Sequence, residues 1–176
     1  GICKHCNEGK ETLHHLLNNC KRKMQFYTYR HNIVANILRD AIRTKINPEY
    51  YKESCQISLS EITDGRVTEG ISPNNTHLRP DIIYIDDDNT LTVIEIAVSY
   101  NQESNRNGTI TNTLANKHDE KNSKYASLMD EVKTATNMQI NFYSIIVSSL
   151  GHITEETLGN LTSIFGPKKG TKIAEE

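Results

Sequence analysis

The spacing of apolar residues along the chain predicts several helices. Residues 22–46 place apolar side chains at steps of three and four, which predicts a long amphipathic helix that ends at Asn47-Pro48. Its apolar stripe consists of Phe26, Tyr29, Ile33, Val34, Ile37, Leu38, Ala41 and Ile42. The same period predicts helices over residues 113–137 and 154–165, and the second of these begins with the capping sequence Thr154-Glu155-Glu156.

Other segments have the alternation or the β-branched content of strands. Strands are predicted at residues 56–63, 81–86, 91–99 and 140–148. The turn residues 87–90 are expected to join the second and third strands into a hairpin. Residues 64–79 are rich in glycine, proline and asparagine and are expected to be a loop. Residues 101–112 are polar and are expected to be a loop or a mobile entrance to the following helix. The predicted order is therefore helix, three strands, helix, strand, helix.

Composition narrows the possible classes of protein only modestly. The chain has 176 residues, enough for one domain with a small appendage, and a net charge of −2, which argues against a purely electrostatic binder of nucleic acid. Charge is uneven, because residues 21–52 are basic and residues 81–103 are acidic. A nuclease needs a basic surface beside an acidic pocket, and this distribution of charge would suit one. An uneven distribution of charge along a chain is also common by chance. No apolar stretch approaches the roughly 18 residues of a membrane span, so no membrane partner is expected.

The first twenty residues carry a pattern typical of a metal site. Cys3-x2-Cys6-x8-His15-x4-Cys20 offers three thiolates and one imidazole, the tetrahedral ligand set of structural zinc. His14 is an alternative to His15 as the third ligand. The competing interpretation is a set of free thiols and surface histidines. The zinc interpretation implies a reducing compartment, since these cysteines would not form disulfides.

Two carboxylates stand where the predicted hairpin would bring them together. Asp81 precedes one strand and Glu95 lies within the next, so their side chains could hold one magnesium ion with the backbone carbonyl of Ile96. Such an ion polarises a phosphoryl oxygen and lowers the pKa of bound water. Alternatively, Asp81 is a turn residue and Glu95 belongs to a solvated face of its strand.

The pattern as a whole resembles a known family. Arg79-Pro80-Asp81 followed by Glu95-Ile96-Ala97 is similar to the core of PD-(D/E)xK nucleases, with Ala97 where a lysine is usual. The further motifs, in chain order, are the Cys/His pattern of residues 3–20, which is called a zinc knuckle, then Arg30-His31-Asn32 and Lys121-x-x-Lys124-Tyr125. Together they resemble the restriction-like endonuclease domain of site-specific non-LTR retrotransposon proteins, from Cys3 to about Val147.

The resemblance implies an α/β fold with a restriction-endonuclease-like core, in which helices flank a mixed central sheet. It divides the chain into a zinc knuckle at residues 1–21, the endonuclease domain at 22–166 and a flexible tail at 167–176. The implied catalytic groups are Asp81 and Glu95 with Mg²⁺ or Mn²⁺, and a displaced lysine. That lysine is Lys121 or Lys124, with Lys117 a third possibility, and each could instead be a solvated helix lysine.

The resemblance also implies partners. They are double-stranded DNA in the nucleus and an upstream reverse transcriptase region of the same polyprotein, with the DNA contacted by Lys21, Arg22, Lys23, Arg30 and His31. Ala97 motivates a second hypothesis, a non-catalytic nucleic-acid-binding module that retains the nuclease fold. A zinc-stabilised protein-interaction domain is a third. The target site and the oligomeric state stay open at this stage.

Overall fold

The structure is a computed structural model that describes residues 1–44, 51–53, 80–86, 88, 90–106, 109–136 and 139–176. A π-helical turn at His15–Asn19 and a 3-10 turn at Lys21–Lys23 precede the first long helix. The helices are α1 (Met24–Arg43), α2 (Thr113–Thr136), α3 (Glu155–Phe165) and α4 (Pro167–Glu175). The strands are β1 (Tyr51–Glu53), β2 (Ile82–Ile85), β3 (Thr90–Ser99), β4 (Glu103–Arg106), β5 (Thr109–Asn112) and β6 (Gln139–Ser148).

The main sheet is mixed and has the strand order β1-β2-β3-β6. β2 pairs antiparallel with both β1 and β3, while β3 and β6 run parallel along their full length. Helix α2 lies between these two parallel strands in the chain, since strands that run in the same direction cannot be joined by a tight turn. A separate small sheet is formed by β4 and β5.

Helices cover both faces of the main sheet. On one face, α1 and α3 pack on alternate residues of β2, β3 and β6, including Ile82, Ile94 and Ile145. On the other face, α2 packs on the intervening residues, including Ile83 and Val93. This alternation is the period of two expected of strands, and it decides which helix each side chain of β3 meets.

Much of the predicted secondary structure is confirmed. The hairpin of residues 81–99, the strand at 140–148 and the helices at 113–137 and 154–165 are all present within a few residues of their predicted bounds. Thr154 caps α3, because its side chain accepts a hydrogen bond from the Thr157 N–H at 3.0 Å. The predicted strand at 56–63, the predicted loop at 64–79, the helix end at Asn47-Pro48, and Arg79 lie outside the described residues.

Three expectations need correction. Residues 101–112, predicted as a loop, contain the paired strands β4 and β5. The apolar stripe of α1 is buried only in its second half, because Phe26, Tyr29 and Ile33 are exposed while Leu38 and Ile42 are buried. The first half of the predicted stripe is therefore not part of the core.

The predicted flexible tail at 167–176 is instead helix α4, which packs against α3. Pro167 occupies the first turn, where its missing N–H costs nothing. Gly170 is buried, and a β-carbon at that position would lie 2.7 Å from the Leu161 carbonyl oxygen. Ile173 and Ala174 pack against the same core as α1. The segment is therefore part of the fold.

None of the helices in the described ranges combines the length and the apolar character that crossing a bilayer demands.

Candidate metal centre and carboxylate site

The four predicted zinc ligands converge. The sulfur atoms of Cys3, Cys6 and Cys20 and a ring nitrogen of His15 all lie within 4.8 Å of one another. Cys3 and Cys20 are buried with their sulfurs 4.0 Å apart, and the Cys6 sulfur is 3.3 Å from His15 Nε2. Three thiolates and one imidazole at this separation suit a tetrahedral zinc ion, and a closed set of four ligands is structural.

The structure distinguishes between the two neighbouring histidines. His15 belongs to the cysteine cluster. His14 is exposed, and its ring packs against Tyr100 with the ring centroids 5.4 Å apart. Of the two histidines that the sequence offered as ligands, His15 therefore has the position of the third ligand.

The backbone of the knuckle shapes the cluster. Ile2 and Lys10 form an antiparallel bridge, and the Cys3 N–H donates to the Gly9 carbonyl at 3.0 Å, which closes a tight loop around the first two cysteines. Gly9 has a φ of +67°, and a β-carbon there would lie 3.5 Å from His15 Nδ1. Burial by itself raises the pKa of the Cys3 thiol, but hydrogen bonds from the backbone of Cys6 and His5 outweigh it and lower the pKa to about 7.

Two side chains of α1 hold the knuckle against the rest of the protein. The Cys20 N–H donates to the Tyr27 hydroxyl at 2.7 Å, and the Leu16 carbonyl lies 3.2 Å from the same oxygen. The Arg30 guanidinium donates to the carbonyl of Leu17 in the knuckle and, at 3.4 Å, to that of Ser149 after β6. These bonds favour a structural role for Arg30 over the DNA contact that the sequence analysis suggested.

The second site centres on Glu95, which is only 5% exposed. Lys121 Nζ lies 2.6 Å from Glu95 Oε1, and the Tyr125 hydroxyl donates to Oε2 at 2.9 Å. Lys124 Nζ is 4.0 Å from Oε1, at the limit of an ion pair. Glu95 therefore points towards α2, and the alternative that it occupies a solvated face is wrong. A buried carboxylate needs such partners, because an unpaired charge is costly away from water.

Asp81 lies beside Glu95 in the hairpin. The register pairs Ile82 with Ile94, so its continuation by one residue would set Asp81 opposite Glu95. Asp81 Oδ2 accepts a hydrogen bond from the Ile96 N–H at 2.8 Å, and Asp81 Oδ1 lies 3.3 Å from His31 Nε2. The bond to Ile96 ties Asp81 to the strand that carries Glu95.

The negative charges of Asp81 and Glu95 both raise the pKa values of Tyr125 and His31. Burial raises the pKa of the Tyr125 phenol, and the negative charges of Glu95 and Asp81 raise it further. The pKa of His31 is raised chiefly by its hydrogen bond to Asp81, and the charge of Glu95 contributes in the same direction. One electrostatic cluster therefore contains Asp81, Glu95, His31 and Tyr125.

The backbone carbonyl of Ile96 lies on the Asp81 side of β3. In a strand, the N–H and C=O of one residue point to the same side, and the Ile96 N–H points to Asp81. The register would set Pro80 opposite Ile96, and proline has no N–H to donate to that carbonyl. The Ile96 carbonyl and the Asp81 carboxylate therefore lie on the same side of β3.

The other basic residues singled out in the sequence lie apart from Glu95. Lys117 forms an ion pair with Glu120 on the same helix. Lys21 pairs with Glu8 at 2.9 Å on the surface, and Lys23 Nζ lies 5.6 Å from the centre of the Phe26 ring. Arg22 is exposed. Lys21, Arg22 and Lys23 form the 3-10 turn at the junction of the knuckle and α1.

Sequence analysis missed His118 of α2, a buried titratable residue. Its Nδ1 lies 2.7 Å from the Ser144 hydroxyl, and its Nε2 lies 2.9 Å from the Thr154 hydroxyl. Burial lowers the pKa of His118, although the charge of Glu156 opposes this change. No local pattern marks this histidine, because its partners come from β6 and from the cap of α3.

Comparison with known proteins adds nothing to this geometry: no protein-family model matches the chain, and no match was found among curated proteins. The structure itself defines a mixed α/β protein in which helices flank a small mixed sheet. At its N-terminal end, this protein carries a Cys/His group that could hold a metal ion, consistent with structural zinc.

Proposed function

We propose that this chain is a metal-dependent DNA endonuclease domain with a restriction-endonuclease-like core. The observation that carries the proposal is the buried Glu95 in contact with Lys121, beside Asp81 on the neighbouring strand. A carboxylate pair and a lysine are the groups that phosphodiester hydrolysis needs, and the lysine comes from α2 in place of the position held by Ala97.

Asp81, Glu95 and the Ile96 carbonyl would hold Mg²⁺ or Mn²⁺, which supplies Lewis acidity and a more acidic bound water. Lys121 places its ammonium group beside Glu95, where it can balance the negative charge that builds up on the phosphorus oxygens. Tyr125 and Lys121 together fix both oxygens of Glu95, so the carboxylate is oriented before substrate binds.

The reaction is hydrolysis of one strand. Water adds to phosphorus, the bond from phosphorus to the 3′ oxygen breaks, and the products are a 3′ hydroxyl and a 5′ phosphate. In the proposed setting, the 3′ hydroxyl primes reverse transcription by an upstream region of the same polyprotein, on double-stranded target DNA in the nucleus. The exposed Lys21 and Arg22 and the half-buried Lys23 are suited to contact phosphates, which supply affinity without sequence information.

The test compares nicking of supercoiled plasmid by the parent protein with that by Asp81→Asn and Glu95→Gln in Mg²⁺ and in Mn²⁺. Both variants should lose nicking, whereas Glu120→Gln, which neutralises an exposed carboxylate of α2, should retain it. Far-UV circular dichroism and zinc content check that each variant is folded. Nicking by Asp81→Asn and Glu95→Gln at the parental rate would refute the proposal.

A non-catalytic nucleic-acid-binding module is the second candidate. It is favoured by the fact that both oxygens of Glu95 already have partners within the protein, as in a structural ion pair. This candidate predicts DNA binding without divalent ions and no nicking in any metal. The same plasmid assay, combined with a gel-shift measurement in chelator, separates the two candidates.

A further inference from the structure

We propose that His118 and Ser144 are positioning residues: their contact fixes the part of α2 that carries Lys121, and so holds the Lys121 ammonium group against Glu95. The inference rests on the proposed function for its catalytic meaning, since Lys121 is the lysine assigned to hydrolysis there. The side chains of His118 and Ser144 are each only 1% exposed, so neither contacts a substrate and both act through Lys121.

Polar side chains form a row between α2 and the sheet. Glu95 of β3 and Ser144 of β6 are partners in the parallel pair, so their side chains lie side by side on the face that α2 covers. His118 reaches Ser144, and Lys121 reaches Glu95 one helical turn further on. The α2 residues in contact with these two side chains have the spacing i, i+3, i+4 and i+7 of one helix face: His118, Lys121, Asn122 and Tyr125.

His118 is held by groups from two further elements. Its Nδ1 lies 2.7 Å from the Ser144 hydroxyl of β6 and 3.3 Å from the half-exposed Glu156 carboxylate of α3. Its Nε2 lies 2.9 Å from the hydroxyl of Thr154, the cap of α3, and 3.2 Å from that of Thr157. With Nδ1 protonated, the neutral ring donates to Ser144 and accepts from Thr154. The position of the ring is therefore set from both β6 and α3.

Apolar packing fixes mainly the other half of α2. The α2 residues that are buried in the core with Ile83 and Val93 all lie in the second half of the helix: Tyr125, Leu128 and Val132. Within residues 113–124, all of which the structure describes, the buried side chains are those of Leu114 and His118. The first half of α2 therefore depends on His118 for much of its contact with the sheet.

A hydrogen bond specifies the position of a helix more narrowly than apolar contact does. Burial of Leu114 is favourable at many rotations of α2, because the hydrophobic effect has no direction. The bond from His118 to Ser144 has a narrow range of distance and angle, so it selects one rotation and one height of the helix. Lys121 lies one turn away, and a shift of α2 at His118 moves its ammonium group relative to Glu95.

Two substitutions of His118 separate its bond to Ser144 from its bond to Thr154. In His118→Asn, the side-chain amide takes the place of Nδ1 and still reaches Ser144. In His118→Gln, the amide extends towards the place of Nε2, so the bond to Ser144 is lost. Ser144→Ala removes the same bond from the other side and tests the inference even where His118→Gln fails to fold. Val132→Ala removes buried apolar volume from the second half of α2 and controls for a general loss of stability.

Two measurements are made on each variant in zinc-saturated protein. The first is the exchange of the Lys121 ammonium protons with water, followed by NMR of isotope-labelled protein without DNA. The Lys121 signal is assigned by its absence from Lys121→Met. An ammonium group in a part-buried ion pair exchanges only when the pair opens, so the exchange rate reports how firmly Lys121 is held. The second is kcat and KM for plasmid nicking in Mn²⁺.

His118→Gln and Ser144→Ala should each accelerate the exchange of the Lys121 protons on the order of tenfold, as expected for the loss of one hydrogen bond. Both should lower kcat by a similar factor and leave KM nearly unchanged, because Lys121 acts on charge that develops in the transition state. The double variant should lose no more than either single variant, since both remove the same bond. His118→Asn should retain most of the parental exchange protection and kcat, and Val132→Ala should leave the exchange unchanged.

The outcomes separate this inference from the proposed function. If His118→Gln and Ser144→Ala keep the parental exchange rate and kcat while the parent nicks DNA, the inference is wrong and the proposed function stands. An acceleration in Val132→Ala as large as that in His118→Gln would also overturn it, because exchange would then follow stability alone. If the exchange changes as expected but the parent does not nick DNA, the placement of Lys121 is supported and the proposed function is refuted.

Discussion

Lys121 and Glu95 form the closest ion pair at the carboxylate site, with 2.6 Å between Nζ and Oε1 and with only 15% and 7% of the two side chains exposed. Lys124 approaches the same oxygen only to 4.0 Å and is 44% exposed. The sequence left these two lysines as equal alternatives, and the geometry favours Lys121.

Lys121→Met should therefore reduce plasmid nicking by roughly a hundredfold or more, the cost of losing one preorganised donor of positive charge. Lys124→Met should reduce it by less than about tenfold, since an exposed charge at the edge of the site contributes little. Initial rates in Mn²⁺ provide the comparison. A larger loss in Lys124→Met than in Lys121→Met would assign the catalytic role to Lys124.

The Tyr125 hydroxyl should contribute to stability through Glu95. Tyr125→Phe removes the hydrogen bond that the Tyr125 hydroxyl donates to Glu95 Oε2, so a buried carboxylate oxygen loses this donor. The free energy of unfolding should fall by about 1.5–3 kcal/mol, the usual range for a hydrogen bond to a charged group. Urea titration at pH 7 measures the change. The control is Tyr29→Phe, at an exposed position, and a similar loss there would contradict this explanation.

The zinc assignment predicts different behaviour for adjacent histidines. His15→Ala should lose zinc and unfold the knuckle, because His15 supplies one of four ligands. His14→Ala should keep one zinc per chain, since His14 lies outside the cysteine cluster and contacts Tyr100 and Asn19 instead. Zinc content after dialysis, measured by a colorimetric chelator, tests both variants. Retention of zinc by His15→Ala together with its loss from His14→Ala would reverse the assignment.

Two glycines at the C-terminal end should respond in opposite ways to alanine. Gly170→Ala would push a β-carbon to 2.7 Å from the backbone of α3 and should destabilise the protein by about 1–3 kcal/mol. Gly159→Ala, in α3, meets open space and should stabilise it by up to about 1 kcal/mol through helix propensity. Thermal unfolding of both variants gives the comparison. Equal changes in thermal stability for Gly170→Ala and Gly159→Ala would mean that the contact between α3 and α4 is not closely packed.

Buried His118 should make stability depend on pH. Its pKa is lowered in the folded state, so the unfolded chain binds a proton first as pH falls below about 6.5. The stabilisation is therefore complete above that pH and declines as pH falls towards the folded pKa, by at most about 1.4 kcal/mol per pH unit. His118→Gln should show a shallower decline between pH 7 and pH 5 than the parent. His152→Ala, at an exposed position, should decline as the parent does.

The sequence predicted those features that depend on local pattern. The antiparallel hairpin followed from two β-branched runs around a turn, and α3 followed from the cap at Thr154. The zinc ligands followed from spacing within twenty residues, because a compact loop brings such residues together whatever surrounds it.

Features that depend on contacts between residues far apart in the sequence could not be predicted. The alternation in β3 leaves either face of the strand possible for Glu95, and only the packing of α2 decides it. The buried His118 lies within hydrogen-bond distance of the hydroxyl groups of Ser144 and Thr154, which are 26 and 36 positions away along the chain. Helix α4 was missed because a lysine-rich segment carries few apolar residues, and Ile173 and Ala174 find their partners only in the assembled core.

Arg30 links the zinc knuckle to the turn after β6. Its guanidinium connects the loop before α1 to the turn after β6, and the next residue along the helix is His31, in contact with Asp81. Oxidation of the knuckle thiols would loosen this connection and displace the helix that carries His31. The redox state of cysteines that perform no chemistry should thereby affect the contact between His31 and Asp81.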